Sequence, residues 1–148
     1  MPRSINQAGL TLIEHFEGLR LDAYQDVAGI WTIGYGHTRG VFPGMRFTAA
    51  QAQQALQDDL ITAEAAVGSA VAGAHTTDDQ FAAMVSLCFN IGSGNFRSST
   101  VLREHLAGDF PAAANAFLMW NKATVNGVLT VVAGLTARRT AERALYLS

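Results

Sequence analysis

Apolar residues near the start of the chain recur at helical spacing. The apolar positions of this segment are Leu10, Ile13 and Phe16. Ser4 and Gln7 have the spacing of an N-terminal capping box. Gly18 suits the left-handed residue that commonly follows a helix C-terminus. Together these signals predict a first helix over roughly residues 5 to 17.

The hydrophobic pattern changes between residues 19 and 47, where glycines interrupt short β-branched and aromatic runs. These glycines are Gly29, Gly34, Gly36, Gly40 and Gly44. The run Ile30-Trp31-Thr32-Ile33 lies among them and is typical of a short strand bounded by turns. We therefore predict a small β-rich lobe over about residues 18–47.

Helical periodicity returns after residue 47 and persists to the end of the chain. Two more capping-box pairs precede helical patterns, Thr48 with Gln51 and Thr77 with Gln80. The first predicts an Ala- and Gln-rich helix to about Val71, long enough to link two lobes. The second predicts a helix over 78–91 whose apolar residues surround it nearly completely, as in a buried core helix.

Gly92-Ser93-Gly94 ends that helix, and Asn126-Gly127 marks a later turn. Further helices are predicted over roughly 100–106, 110–120 and 134–147. The order of elements predicts an α+β fold, with a small β-hairpin lobe and a mainly helical lobe joined by a long helix. Residues 1–148 are expected to form a single domain.

Composition narrows the class of protein. Of 148 residues, 49% are hydrophobic, enough for a substantial core. A formal net charge of −2 argues against nucleic acid as an electrostatic partner. Cys88 is the single cysteine and lies in an apolar helix, which predicts a buried thiol and excludes an internal disulfide. The scattered histidines His15, His75 and His105 are expected on the surface.

The polar start of the chain, Met1 to Gln7, is followed by no apolar run long enough for a signal peptide or a membrane span. We therefore expect accumulation in the cytoplasm of the producing cell and no stable membrane association. A substrate outside the membrane then requires a separate route of access.

Glu17, Asp26 and Thr32 are the candidate catalytic residues. A carboxylate at a helix C-terminus is disfavoured by the partial negative charge there, so Glu17 is suited to keep a proton for general acid catalysis. Asp26 lies in glycine-rich turn sequence, where solvation favours an ionised carboxylate, and Thr32 can help it hold a water. Two carboxyl groups with different protonation are the groups that cleave an acetal. Taken singly, each residue is more often a solvated surface residue.

Other chemistries find less support. His37 lacks partners at metal-ligand spacing and is more consistent with a structural histidine than with a base or ligand. We therefore expect neither metal nor cofactor. The aromatic residues Tyr24, Trp31, Tyr35 and Trp120 suit either a core or stacking on sugar rings. The arginines of the last helix suit contact with an acidic polymer or pairing with Glu142.

The stretch from Glu17 through Asp26 to Thr32-Ile33-Gly34-Tyr35-Gly36-His37-Thr38 resembles the catalytic signature of the phage-type lysozymes, glycoside hydrolase family 24. The likeness continues through Phe89-Asn90-Ile91-Gly92, Ser99 to Arg103, Ala116 to Trp120 and Arg138 to Leu145. The likeness covers nearly the whole chain, and among the members of this family the chain is most similar to the short lambdoid-type endolysins.

The resemblance implies a lysozyme-like fold and an N-acetylmuramidase that cleaves peptidoglycan glycan strands. It implies that Glu17 is the general acid, Asp26 the second catalytic carboxylate and Thr32 a residue that holds the water. The family is regarded as inverting. Further residues resemble substrate-binding positions: Thr38, Phe89, Asn90, Trp120 and Arg138, with Arg139 as a rival to Arg138.

The resemblance also implies a monomer that waits in the host cytoplasm until a separate pore-forming protein releases it to the periplasm. Val131 to Leu135 lacks the Pro-containing approach of many short endolysins, which loosens the alignment of the arginines. Two other hypotheses remain: a lytic transglycosylase, which needs one acid, and a non-catalytic wall-binding domain. The presence of both Asp26 and Thr32 argues against the first, and both carboxylates argue against the second.

Overall fold

The computed structural model describes residues 2–148. Its helices are α1 (Gln7–Glu17), α2 (Ala49–Ala70), α3 (Asp78–Ile91), α4 (Ser93–Arg97), α5 (Thr100–Leu106), α6 (Phe110–Ala116) and α7 (Ala133–Leu147). Its strands are β1 (Arg20–Gln25), β2 (Trp31–Gly34), β3 (Lys122–Val125) and β4 (Val128–Val131). These elements form an α+β fold with two antiparallel hairpins, β1–β2 and β3–β4.

The chain divides into two compact units. The small unit is Ile13–Ile61, and the large unit is Thr62–Ser148 together with the chain up to Leu12. The small unit contains the β1–β2 hairpin, whereas the large unit contains α3 to α7 and the β3–β4 hairpin.

Helix α1 begins two residues later than the sequence predicted. The side chain of Asn6, rather than that of Ser4, accepts a hydrogen bond from Gly9 N at 3.0 Å. The Asn6 carbonyl also accepts the first helical bond, from Leu10 N at 3.1 Å. The predicted capping box of Ser4 and Gln7 is therefore wrong, because the side chain of Asn6, two residues after Ser4, caps the helix.

Strands β1 and β2 confirm the β-rich character of the segment after α1. They pair antiparallel, with Tyr24 opposite Thr32 and an irregularity between Arg20 and Tyr24. The chain returns alongside β1, since Ala23 N donates to the Met45 carbonyl at 2.9 Å. The hairpin and this returning segment hold the loop in which Asp26 lies.

Both later capping boxes are confirmed. Thr48 Oγ1 accepts from Gln51 N at 3.1 Å, and the Gln51 side chain accepts from Thr48 N at 2.8 Å. Thr77 and Gln80 make the same reciprocal pair at the start of α3. Helix α2 has 22 residues, of which 49–61 belong to the small unit and 62–70 to the large unit.

Helix α3 is the core helix of the large unit, as its apolar circumference predicted. Every residue from Gln80 to Cys88 is buried. Cys88 is 1% exposed, its Sγ lies 3.8 Å from Ser93 Oγ, and burial raises the pKa of its thiol. The expectation of a buried cysteine is therefore confirmed.

The segment after α3 departs from the sequence prediction in three places. A short helix, α4, follows immediately where only a break was expected. The helix predicted to reach Trp120 becomes a 3₁₀ turn over Phe117–Met119. Asn126-Gly127 is the turn of a hairpin, β3–β4, that the sequence analysis did not predict, with φ of 50° at Asn126 and 79° at Gly127.

His105 was expected on the surface and is instead buried, with 1% exposed. Its Nδ1 lies 2.7 Å from the Tyr146 hydroxyl and its Nε2 lies 2.8 Å from Thr76 Oγ1. These partners come from distant parts of the sequence, which is why local polarity misled the prediction. His15 and His75 are exposed, as expected. Among residues 2–148, no helix is both long and apolar enough to cross a membrane.

Candidate active site

Glu17 is the last residue of α1. Gly18 follows with φ of 74°, and its N–H donates to the Glu14 carbonyl at 3.1 Å, which ends the helix. A Cβ added at Gly36 would lie 3.4 Å from Glu17 Oε1, so the carboxyl group lies beside the Gly36 backbone. The glycine at 36, whose φ is 82°, leaves room for an acidic side chain at this helix end.

Asp26 organises the loop between β1 and β2. Its Oδ1 accepts hydrogen bonds from Ala28 N and from Ile30 N, each at 2.9 Å. Its own N–H donates to the Ile30 carbonyl at 2.9 Å. Both side-chain bonds end on the same oxygen, and the half-buried carboxyl group presents Oδ2 as its other acceptor.

Thr32 lies on β2 and is 4% exposed. Its hydroxyl donates to the Ile30 carbonyl at 2.9 Å, so the remaining lone pairs of Oγ1 can accept hydrogen bonds. Asp26 and Thr32 are therefore both fixed to Ile30, the first through its N–H and the second through its carbonyl. This shared anchor sets the relative position of a carboxylate and a hydroxyl with little freedom.

The rest of the small unit supports this loop. His37 exchanges backbone bonds with Ile33 at 2.9 Å, and its Nδ1 lies 2.8 Å from Asp59 Oδ2. The expectation of a structural histidine is therefore confirmed. Burial raises the pKa of Tyr35, and Glu14 beside it acts in the same direction. Thr38, a predicted substrate contact, is exposed directly after His37.

A buried ionic cluster lies in the large unit. Arg138, Arg139 and Glu142 of α7 are at most 4% exposed. Arg138 Nε donates to Glu142 Oε2 at 3.3 Å, Arg139 Nη1 donates to Glu142 Oε1, and the Ser86 hydroxyl donates to Glu142 Oε2. Burial raises the pKa of the Glu142 carboxyl, and the attraction of Arg139 opposes that rise.

The alternative of pairing between the last-helix arginines and Glu142 is confirmed for Arg138 and Arg139. Arg143 instead donates to Asn115 Oδ1 at 3.0 Å. Arg138 Nη2 also reaches the Ser86 carbonyl at 3.4 Å. Among the described residues, every buried side-chain nitrogen and oxygen atom has a hydrogen-bond partner, so the charges of this cluster are compensated where α7 packs on α3.

Three of the predicted substrate-binding residues lie near this cluster. Phe89 and Asn90 are at the C-terminal end of α3, and Trp120 follows the 3₁₀ turn. Asn90 and Trp120 line one cavity of about 300 Å³. The other residues around this cavity are Ile91, Asn95, Lys122 and Leu135.

Two features of these sites could not be predicted from the sequence. Arg139 Nη2 donates to Asn90 Oδ1, and Arg139 Nε donates to the Trp120 carbonyl at 2.9 Å. Because Arg138 and Arg139 are adjacent, the local sequence did not indicate which of them makes these hydrogen bonds. Lys122 at the cavity was also not anticipated, because the strand that carries it was not predicted. Within the described residues, no group of three His, Cys, Asp or Glu side chains is arranged to hold a metal ion.

Comparison with known proteins gives consistent results. The chain is 43% identical over 144 residues to the endolysin of Acyrthosiphon pisum secondary endosymbiont phage 1, covering 97% of this chain and 98% of that protein. It is 42% identical to the endolysin of Salmonella phage P22, again covering 97% and 98%.

A solved structure, the muramidase domain of SpmX from Asticaccaulis excentricus, is 44% identical and superposes with a TM-score of 0.92, covering 99% of both chains. The family model for phage lysozyme matches residues 14–142. That range includes the β1–β2 hairpin together with Arg138, Arg139 and Glu142. The chain therefore belongs to the phage lysozyme family, has the lysozyme-like fold, and is a lysozyme.

Proposed function

We propose that this lysozyme is an endolysin of the N-acetylmuramidase type. It hydrolyses the β-1,4 bond between N-acetylmuramic acid and N-acetylglucosamine in peptidoglycan and thereby lyses the host cell. The observation that carries the proposal is the hairpin, in which Asp26 and Thr32 are anchored to the same residue, Ile30, while Glu17 ends the helix just before it.

Glu17 acts as the general acid. Its proton passes to the glycosidic oxygen as the bond to the anomeric carbon breaks, so that the leaving sugar departs as a neutral alcohol. The placement beside Gly36 supports this role, because a glycine leaves space for a sugar oxygen to approach the carboxyl group.

Asp26 and Thr32 hold the attacking water. The Thr32 hydroxyl proton is committed to the Ile30 carbonyl, so Thr32 offers an acceptor to that water. Asp26 Oδ1 accepts two backbone N–H bonds, and Oδ2 offers a second acceptor. A water that donates one hydrogen to each residue points a lone pair away from both, towards the anomeric carbon.

Attack by this water while Glu17 protonates the opposite side gives inversion at the anomeric carbon. Inverting glycosidases place their two carboxyl groups about 6.5–9.5 Å apart to admit the water. Proton removal from the water by Asp26 balances the step, since Glu17 loses one proton to the leaving group and Asp26 gains one. Exchange with solvent then restores both groups.

The glycan strand is proposed to contact Thr38, Phe89, Asn90, Trp120 and Arg138. The exposure of Thr38 and the cavity lined by Asn90 and Trp120 support this set for three of the five. Arg138 is 4% exposed, so only a small part of its side chain is available to a ligand.

Product analysis tests the reaction. Purified peptidoglycan digested by the protein should release fragments that end in reducing N-acetylmuramic acid, one water heavier than the product of a lytic transglycosylase. Mass spectrometry separates this from a 1,6-anhydro end, which would assign the transglycosylase reaction instead. Proton NMR during the first turnover should show the α-anomer if the reaction inverts.

We also propose that the enzyme acts as a monomer and reaches the wall from the host cytoplasm through an opening made by a separate pore-forming protein. Expression with and without such a protein tests this route. Lysis should follow promptly only in its presence, and prompt lysis in its absence would refute the proposed dependence.

A further inference from the structure

Arg139 is the side chain that connects the ionic cluster to the cavity of the large unit. It is fully buried, with 0% exposed, and its guanidinium reaches three acceptors from three sides. Nη1 reaches Glu142, Nη2 reaches Asn90 Oδ1, and Nε reaches the Trp120 carbonyl at 2.9 Å. A planar guanidinium that is bonded through all three nitrogens is held rigidly. A lysine ammonium in the same place would not be held in this way.

The bond to Asn90 decides which way its amide faces. Because Arg139 can only donate, the oxygen of the Asn90 side chain must point to it, and the amide NH₂ must point elsewhere. Asn90 is exposed and lines the cavity. The opposite orientation would set two donors against each other and leave the buried guanidinium short of an acceptor.

Trp120 is held by the same arginine through its backbone. Its N–H donates to the Phe117 carbonyl at 3.1 Å, so both polar groups of this peptide residue are bonded. It lies between the 3₁₀ turn and the β3–β4 hairpin, and it lines the cavity together with Lys122. Because the backbone of Trp120 is fixed, the position of its Cβ, from which the indole ring extends, is fixed as well.

We propose that Arg139 is a positioning residue for substrate binding, which orients the Asn90 amide and holds Trp120 at the cavity. The NH₂ group of Asn90 then donates to an acceptor oxygen of the glycan while the indole offers an apolar surface to a sugar ring. This inference rests on the proposed function, because it assigns the cavity to the same glycan. It also distinguishes the adjacent arginines, since Arg139 donates to Asn90, and Arg138 donates to Glu142 and to Ser86.

The experiment is a double-substitution cycle on turnover of soluble peptidoglycan fragments. Arg139→Lys keeps the charge beside Glu142 but loses the fork, so KM should rise about tenfold with a smaller change in kcat. In an Asn90→Ala background, the same change should raise KM much less, because the group through which Arg139 acts is already gone. Arg143→Lys on the same helix is the matched control and should match the parent chain.

Asn90→Asp sharpens the test and does not depend on the folding of Arg139→Lys. Aspartate keeps an acceptor for Arg139 but offers no N–H to the cavity, so KM should rise about as much as in Asn90→Ala with no loss of thermal stability. The side-chain amide NMR signals of Asn90 should shift in Arg139→Lys and stay in place in Arg143→Lys.

Two results would overturn the proposal. One is a parent-like KM in Asn90→Asp or in folded Arg139→Lys. The other is an Arg139→Lys effect of equal size with and without Asn90, which would indicate a purely structural role. Failure of the unsubstituted chain to cleave peptidoglycan would instead refute the proposed function, and is seen before any variant is made.

Discussion

The Asp26 loop and the Arg139 cluster hold their charged groups by opposite means. Asp26 is half-buried, and backbone N–H groups occupy one of its two oxygens. Glu142 is fully buried, and charged or hydroxyl side chains meet both of its oxygens. Asp26 therefore keeps one oxygen that can accept a hydrogen bond from water. In Glu142, both oxygens already accept hydrogen bonds from buried side chains.

The two kinds of partner suit a carboxylate to different roles. Charged partners fix a buried carboxylate strongly, but removal of either partner leaves an uncompensated charge. Backbone partners fix a loop carboxylate without neutralising it. The two regions should therefore respond differently when a carboxylate is replaced by its amide, with activity lost at Asp26 and stability lost at Glu142.

The largest effect on activity is expected at Glu17. Glu17→Gln keeps the shape of the side chain but cannot donate the proton, so the rate should fall by at least about 10²–10⁴-fold with an unchanged unfolding midpoint. Clearing of a peptidoglycan suspension measures the rate. Glu104→Gln in α5 is the matched control and should clear the suspension normally. Half the parent rate in Glu17→Gln would refute the assignment.

Asp26→Asn tests whether charge or loop structure matters at the hairpin. An asparagine oxygen still accepts from Ala28 N and Ile30 N, so the loop should persist while activity falls by about a hundredfold or more. Asp26→Ala removes the loop bonds as well and should also lower the unfolding midpoint. Normal clearing by a folded Asp26→Asn protein would leave Asp26 with a structural role and favour the transglycosylase hypothesis.

Glu142→Gln tests the cluster. The substitution leaves Arg138 and Arg139 buried without their shared counter-charge, which should lower the free energy of unfolding by about 3–5 kcal/mol. Urea unfolding monitored by circular dichroism measures this. Arg143→Gln, at a neighbouring position outside the ionic cluster, should change stability far less. A stability loss under about 1 kcal/mol at Glu142 would mean that the cluster is not held by its charges.

The smallest expected effect concerns pH. Burial lowers the pKa of His105, and His75 acts in the same direction. Between the folded pKa and the ordinary value of about 6.5, the imidazole of His105 therefore binds a proton more readily in the unfolded chain than in the folded one. His105 should contribute stability above that pH and lose it as the pH falls towards its folded value. His105→Gln should flatten the dependence of unfolding free energy on pH between 5 and 7, whereas His75→Gln should not remove it.

Local signals predicted the elements that local interactions form. The capping boxes at Thr48 and Thr77 were readable because both partners lie within four residues. The box at Ser4 was wrong because Asn6 has an equally suitable side chain in the same stretch. Spacing alone does not rank two competing caps.

Residues fixed by distant partners were less predictable. The burial of His105 depends on Thr76 and Tyr146, which are 29 and 41 residues away. The roles of Arg138 and Arg139 depend on Ser86, Asn90 and Trp120, which no periodicity within α7 identifies. The elements that carry the candidate catalytic residues were predictable because these residues lie in one continuous segment, with Glu17 at the end of α1 and Thr32 on β2. The hydrogen bonds of Asp26 and Thr32 to Ile30 were not predictable, since they require the hairpin register.

The buried thiol of Cys88 makes the chain its own reporter of unfolding. A thiol reagent cannot reach a side chain that is 1% exposed in the last turn of α3, so labelling requires the core to open. Because Cys88 is the single cysteine, mass spectrometry of the labelled fraction over time counts opening events without a dye or a mutation. Because Cys88 is inaccessible in the folded protein, a second cysteine introduced on the surface can be labelled selectively.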